Sequence, residues 1–182
     1  MHGLLKISRA IDAVTAFVGK AVMWLILAAI LVSAGNATSR KLFDLSSNAW
    51  LELQWYLFGA AFMLAAAYTL QRNEHIRIDI VSNHLPRGVR HAIELFGHLF
   101  MLLPFCLLMV WETWPNMMES YSINESSSNY GGLIVWPAKA FIVAGFALLF
   151  LQGISELIKR IAIIAGIIPD THEAHHTPLP VE

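Results

Sequence analysis

Charge is what this sequence has least of. Only 14% of its 182 residues are Asp, Glu, Lys or Arg, while 57% are hydrophobic; soluble domains carry about 25% charged residues. Neither sign is in surplus. Twelve Lys and Arg against 13 Asp and Glu leave a formal net charge of −1, which excludes the basic surface that a nucleic-acid partner needs. Cysteine is nearly absent, and the single Cys106 excludes both an intrachain disulfide and a cysteine-built metal centre. No internal repeat occurs. No stretch between the apolar runs reaches the roughly 50 residues of the smallest independent domains, so a separate soluble catalytic domain is excluded too.

What is present are four apolar stretches of membrane length, since a hydrocarbon core about 30 Å thick takes about 20 apolar helical residues. The first, 15–38, is centred on an uncharged run at 21–35. The second, 49–70, has Glu52 and Gln54 as its only strongly polar members. The third, 91–114, is free of charge over 99–111 until its outer end, and Pro104 is expected to bend it. The fourth, 137–158, opens at Trp136 and Pro137, where proline suits a first helical turn. The fold expected is therefore all-α and integral to the membrane, one four-helix domain over 1–182 with a polar tail at 169–182.

The connecting pieces are short. Leu4, Leu5, Ile7, Ile11, Val14 and Val18 share one side of a helix, with Lys6, Arg9 and Asp12 opposite. That pattern predicts an N-terminal amphipathic helix lying at the interface and leading into the first span. A short interfacial segment is expected between helices 2 and 3, within 71–90. Residues 115–135, rich in Ser, Asn and Gly and lacking Lys and Arg, are expected to form the outer loop. Residues 161–168 are too short to cross again and are expected at the surface.

Orientation follows the positive residues. Lys6, Arg9, Lys20, Arg72, Arg77, Arg87, Arg90, Lys159 and Arg160 fall on one side, and only Arg40, Lys41 and Lys139 on the other. This places both termini in the cytoplasm. Trp50, Trp55, Trp111, Trp114 and Trp136 then lie near the outer helix ends as interface anchors, and Trp24 near the inner end. Small residues at 33–37 resemble a signal-cleavage site, but cleavage would spoil this charge balance, so the first span is read as retained.

Several motifs invite sharper readings. His172-Glu173-Ala174-His175-His176 matches H-E-x-x-H formally, yet prolines at 169 and 178 leave no room for a zinc-binding helix, and a polar tail is the reading taken. His91, Glu94 and His98 share one face of the third helix. A haem would need a facing histidine, and the other spans offer none. Glu52, Gln54 and Glu112 form a second polar set, read as side chains reaching water rather than ion ligands, because the second helix has no internal break. Gly59, Ala60, Ala61, Ala65, Ala66 and Ala67 make the second span rich in small residues, as Ala29, Ser33 and Ala37 do the first. Such faces let helices approach closely, either within this bundle or against another membrane protein. No cofactor and no catalytic residue is expected.

The run Glu52-Leu53-Gln54-Trp55-Tyr56-Leu57-Phe58, the Ala-rich helix ending Tyr68-Thr69-Leu70, and His75-Ile76-Arg77-Ile78-Asp79 together resemble the small permease (DctQ-like) subunit of tripartite ATP-independent periplasmic (TRAP) transporters. The H-[VI]-R-[VI]-D stretch is matched without departure. The last helix, Trp136-Pro137-Ala138-Lys139 through Gln152-Gly153-Ile154-Ser155-Glu156, is similar as well. The resemblance implies a scaffold for a large membrane subunit that carries the transport domain, with a periplasmic substrate-binding protein delivering an organic or sugar acid, in a bacterial inner membrane. Under it, Arg72, His75, Arg77 and Asp79 would fix the connection between helices 2 and 3, and the outer loop with Glu119 and Glu125 would be a contact surface. A stand-alone homo-oligomeric channel or exporter is the rival, although the middles of spans one and two offer almost nothing polar to line a pore.

Overall fold

A backbone crossing lipid must satisfy its N–H and C=O groups within its own segment, and a helix does so. The computed structural model describes residues 2–45, 47–72 and 87–168, and these contain four helical runs long and apolar enough to cross a membrane. Helix α1 spans His2–Phe43, α2 Asn48–Arg72, α3 Arg87–Phe96, α4 Leu103–Ser122 and α5 Trp136–Ile164. Between α3 and α4, Gly97–Leu102 is a π-helical segment whose flanking residues keep helical dihedrals, so the three pieces run on as the third span.

That π segment has a local cause. Pro104 lacks an N–H, and its ring crowds the carbonyl four residues earlier. The chain widens by a turn just before it, with the Leu103 N–H donating to the His98 carbonyl. Pro115, by contrast, sits inside α4, and the helix continues to Ser122. The expected outer loop therefore begins at 123 rather than 115. At the other extreme, 161–164 prolongs α5 instead of forming a separate surface piece. Gly166, at φ 70, then ends the helix: the Ile167 N–H reaches the Ala162 carbonyl and the Gly166 N–H reaches that of Ile163. This double closure is a Schellman cap, and its left-handed residue favours glycine.

Helices α1, α2 and α5 pack against one another, and the third span lies chiefly against α5. Small residues set the spacing. Ala29, Ala60, Ala61, Ala67 and Ala162 are buried between helices. A methyl group on Gly145 would lie 2.9 Å from the Met63 carbonyl oxygen of α2, and one on Gly19 would run into the Tyr68 ring. Gly153 has Leu102 and Leu103 against it in the same way. Most other large apolar side chains face outward, as a bundle in lipid requires.

Helix α1 joins the amphipathic lead-in and the first span without a break. Its 42 residues are about 63 Å long at a rise of about 1.5 Å each, twice the hydrocarbon thickness. The face that docks is the reverse of a soluble amphipathic helix. Leu4, Ile7 and Val14 are 48–54% exposed, whereas Ser8 and Thr15 are buried against the bundle. Asp12 lies on that inner face with them.

Candidate functional site

Two polar clusters stand out, one at each end of the bundle. The terminal end holds the start of α1, the end of α2, the start of the third span and the end of α5. The loop end holds the α1–α2 turn and residues 123–135.

At the terminal end Asp12 is the hub. Its Oδ1 accepts hydrogen bonds from Gln152 Nε2 at 2.9 Å and Ser155 Oγ at 2.8 Å, and its Oδ2 from Lys159 Nζ at 3.2 Å. Gln71 Nε2 donates to the Asp12 carbonyl at 2.9 Å, which ties in α2. Glu156 accepts from both Gln152 and Lys159, and Ser8 and Ser155 share a hydrogen bond of 2.8 Å. Gln152 and Ser155 are completely buried. The third span joins through Glu94, whose Oε2 lies 2.6 Å from Arg160 Nη2. One turn further on, His98 Nδ1 pairs with the Glu94 carbonyl at 2.7 Å. So Glu94 belongs to an ion pair between helices, and His98 to its own helix.

The local reason is spacing. Ser8, Asp12 and Thr15 recur every three or four residues along α1, as do Gln152, Ser155, Glu156, Lys159 and Arg160 along α5. Two polar stripes facing each other supply most of one another's partners where lipid offers none, although Thr15 Oγ1 and Gln152 Oε1 are buried without a hydrogen bond among the described residues. Asp12 was expected on the solvated side of an interfacial helix; it binds α5 instead.

At the loop end the hub is Glu52, only 4% exposed. Ser127 Oγ and Asn129 Nδ2 donate to its Oε1, the latter at 2.8 Å, and the Leu133 backbone N–H donates to Oε2 at 2.7 Å. Expected as a side chain reaching water, Glu52 is enclosed by the loop folded over it. Gly132 is required there, because a Cβ would sit 2.6 Å from Ser127 Cβ and 2.9 Å from both Glu52 oxygens. Gly131 turns the chain at φ 69, and Ser126 and Ile134 close the loop with one antiparallel bridge. Asn48 Nδ2 donates to the Tyr130 carbonyl at 2.9 Å. Lys139 pairs with Glu125 at 2.6 Å, and this hydrogen bond is the main reason that the Glu125 carboxyl is held below the usual carboxylate range. Tyr121 meets Trp136 edge-on, 5.4 Å between ring centres.

The remaining expected residues fall as follows. Arg72 closes α2, exposed, with Nε 3.0 Å from Tyr68 Oη and its guanidinium 5.5 Å from that ring. His75, Arg77, Asp79 and the tail histidines lie outside the described residues, as does the His91 side chain. Of the small residues, Ala60, Ala61 and Ala67 are consumed inside the bundle, Ala65 and Ala66 are half-buried, and Gly59 faces open space. Glu119 and Glu112 are exposed on α4, and Gln54 is half-buried. Trp50, Trp55, Trp111 and Trp114 are exposed, and Trp136 is half-buried. Among the described residues no group of three His, Cys, Asp or Glu is placed to hold a metal ion.

A sequence model of the DctQ component of tripartite ATP-independent periplasmic transporters matches residues 29–162. The chain belongs to this family. Neither the curated proteins nor the solved structures contain a match. As a DctQ component the protein is a small multi-pass membrane subunit of a bacterial TRAP transporter, from a family of transport subunits and not of enzymes. The matched range takes in the whole Glu52 cluster and the α5 half of the terminal cluster. It begins after Ser8, Asp12 and Thr15, so the α1 half of that network lies outside it.

Proposed function

We propose that this DctQ component is the stationary scaffold of its transporter: it holds the large membrane subunit in place while that subunit moves the solute. The observation that carries the reading is the terminal polar network. In it, Asp12 ties α1 to α2 and α5, and the Glu94–Arg160 pair ties the third span to α5. Helices cross-linked in this way resist sliding past one another, which suits a fixed frame. The two membrane helices that carry Asp12 and Glu52 are also unbroken, unlike the interrupted helices that usually build ion and substrate sites at mid-membrane depth.

The terminal end is assigned to the cytoplasm and the loop end to the periplasm, in the inner membrane, from the distribution of Lys and Arg. The small-residue and apolar faces left open on the bundle, Gly59 among them, are available to the large subunit. The binding protein delivers the solute, an organic or sugar acid, and an ion gradient drives its uptake. Arg72 with His75, Arg77 and Asp79 fixes the chain between α2 and the third span, and the tryptophans set depth in the bilayer. Co-purification from cells expressing all three components is the test. The large subunit should be recovered with this chain, and uptake of labelled organic or sugar acids should be lost when this chain is omitted. Full uptake without it would overturn the reading.

A further inference from the structure

We propose that the terminal polar network contains an internal water site, in which Thr15, Gln71 and Gln152 hold one molecule that ties α1, α2 and α5 together. The proposal rests on hydrogen-bond accounting within the bundle and stands whether or not the chain is a scaffold. Thr15 precedes the matched range 29–162, so the site is not one that the family match describes.

Three buried oxygens of the network have no hydrogen-bond partner among the described residues: Thr15 Oγ1, Gln71 Oε1 and Gln152 Oε1. Thr15 and Gln152 are both 0% exposed, and a buried polar atom left bare costs free energy. The nitrogens fix which way each amide points. Gln152 Nε2 donates to the Asp12 and Glu156 carboxylates, and Gln71 Nε2 donates to the Asp12 carbonyl. Turning either amide over would set oxygen against oxygen. Both unpartnered amide oxygens therefore belong to side chains that hold the same residue, Asp12. Thr15 follows Asp12 by three residues, on the same face of α1 and one turn nearer the apolar span. A single turn of α1 thus carries or faces all three oxygens.

Donors and acceptors decide what fits there. An amide oxygen only accepts, so two donors are needed, and the Thr15 hydroxyl has one proton and cannot serve both. A water molecule donates one hydrogen bond to each amide oxygen and accepts a third from Thr15. Three partners are the usual number for a buried water. A metal cation would also suit three oxygens, but charge opposes it. The two carboxylates of the cluster, Asp12 and Glu156, share the Lys159 ammonium, and Glu94 is paired with Arg160. Lys6, Arg9, Lys20 and Arg72 stand exposed at the same end. The ligand that the site fits is neutral.

The test reads the melting temperature of the full chain in lipid nanodiscs. Thr15→Val keeps the shape of the side chain and removes its hydroxyl. With water in the site this variant loses a hydrogen bond and should melt about 2–4 °C lower, the shift for one such bond in a chain of this size. A dry site predicts the opposite sign, because valine would then relieve an unpaired buried hydroxyl. An unchanged or higher melting temperature overturns the proposal. Gln71→Met gives a second reading, since Gln71 and Thr15 share no direct hydrogen bond. A shared water makes the double variant lose less than the sum of the two single variants, and additive losses would overturn it. The wild-type chain should melt at one temperature in sodium, potassium and choline chloride of equal ionic strength. Stabilisation by sodium or potassium over choline would assign the site to a cation and overturn the water.

Discussion

At the terminal end one carboxylate, Asp12, gathers hydrogen bonds from a neighbouring helix, with its carbonyl bonded to a second. At the loop end one carboxylate, Glu52, gathers all three of its hydrogen bonds from a single loop. Both are acids toward the ends of an apolar bundle; Glu52 is buried and Asp12 half-buried. The first holds helices at a fixed separation; the second gives shape to a segment that has almost no apolar core of its own. The contrast teaches that scarce polar residues divide the labour here. One set fixes the bundle, and the other fixes what the bundle displays.

If that division holds, substitutions at the two ends should fail differently. The largest effect is expected from Asp12→Ala, which leaves Lys159, Gln152 and Ser155 without their shared acceptor. It should cost roughly 3 kcal/mol, the scale for losing several hydrogen bonds to one carboxylate while Lys159 keeps Glu156, read as a lower melting temperature in detergent. Glu94→Gln should come next, at roughly 2 kcal/mol, since it weakens the link between the third span and α5 beside the buried Arg160 guanidinium. Proteolysis or amide exchange localised to α3 would check that the damage stays there. Both variants act on the bundle.

Glu52→Ala should act on the loop alone. The expected cost is about 1–2 kcal/mol, with the melting temperature of the bundle nearly unchanged and protection of the Leu133 amide lost. A large fall in melting temperature would mean that the loop clamp also holds helices, and the contrast between the ends would collapse. The smallest effect is expected at Glu125. Its carboxyl titrates lower in the folded chain than in the unfolded one, so its pairing with Lys139 stabilises the loop above the ordinary Glu range and is lost as pH falls through the folded value. Loop protection should therefore decline as pH falls below about 4.5, the ordinary Glu value, and Glu125→Gln should reduce that dependence, leaving the part that the Glu52 carboxylate carries.

The spans were legible because uninterrupted apolar runs of membrane length have few alternatives, and the helices found contain every stretch expected. The faces were not. The pattern predicts an interfacial helix with Leu4, Ile7 and Val14 toward the bilayer and Asp12 toward water. The aliphatic residues are exposed as that requires, but Asp12 turns with Ser8 and Thr15 to the bundle, because in lipid a polar side chain finds its partners inside. The matching stripe on α5, from Gln152 to Arg160, was visible at the same spacing and would have shown the pairing. The loop expected from the Ser-, Asn- and Gly-rich composition starts at Pro115, but Pro115 lies exposed inside α4, which runs on to Ser122. Glu52, on a helix with no internal break, reads from the sequence as a side chain reaching water. Its partners come from residues 75–81 positions later, and no local pattern announces a contact so distant.

The central claim is that this chain frames a transporter and does not itself conduct. Reconstitution tests it most directly: proteoliposomes containing this chain alone, the large subunit alone, or both, each with binding protein and an imposed ion gradient. The account predicts accumulation of the labelled acid only when both membrane subunits are present, and none with this chain alone. Transport by this chain alone, or full-rate transport by the large subunit without it, would contradict the account.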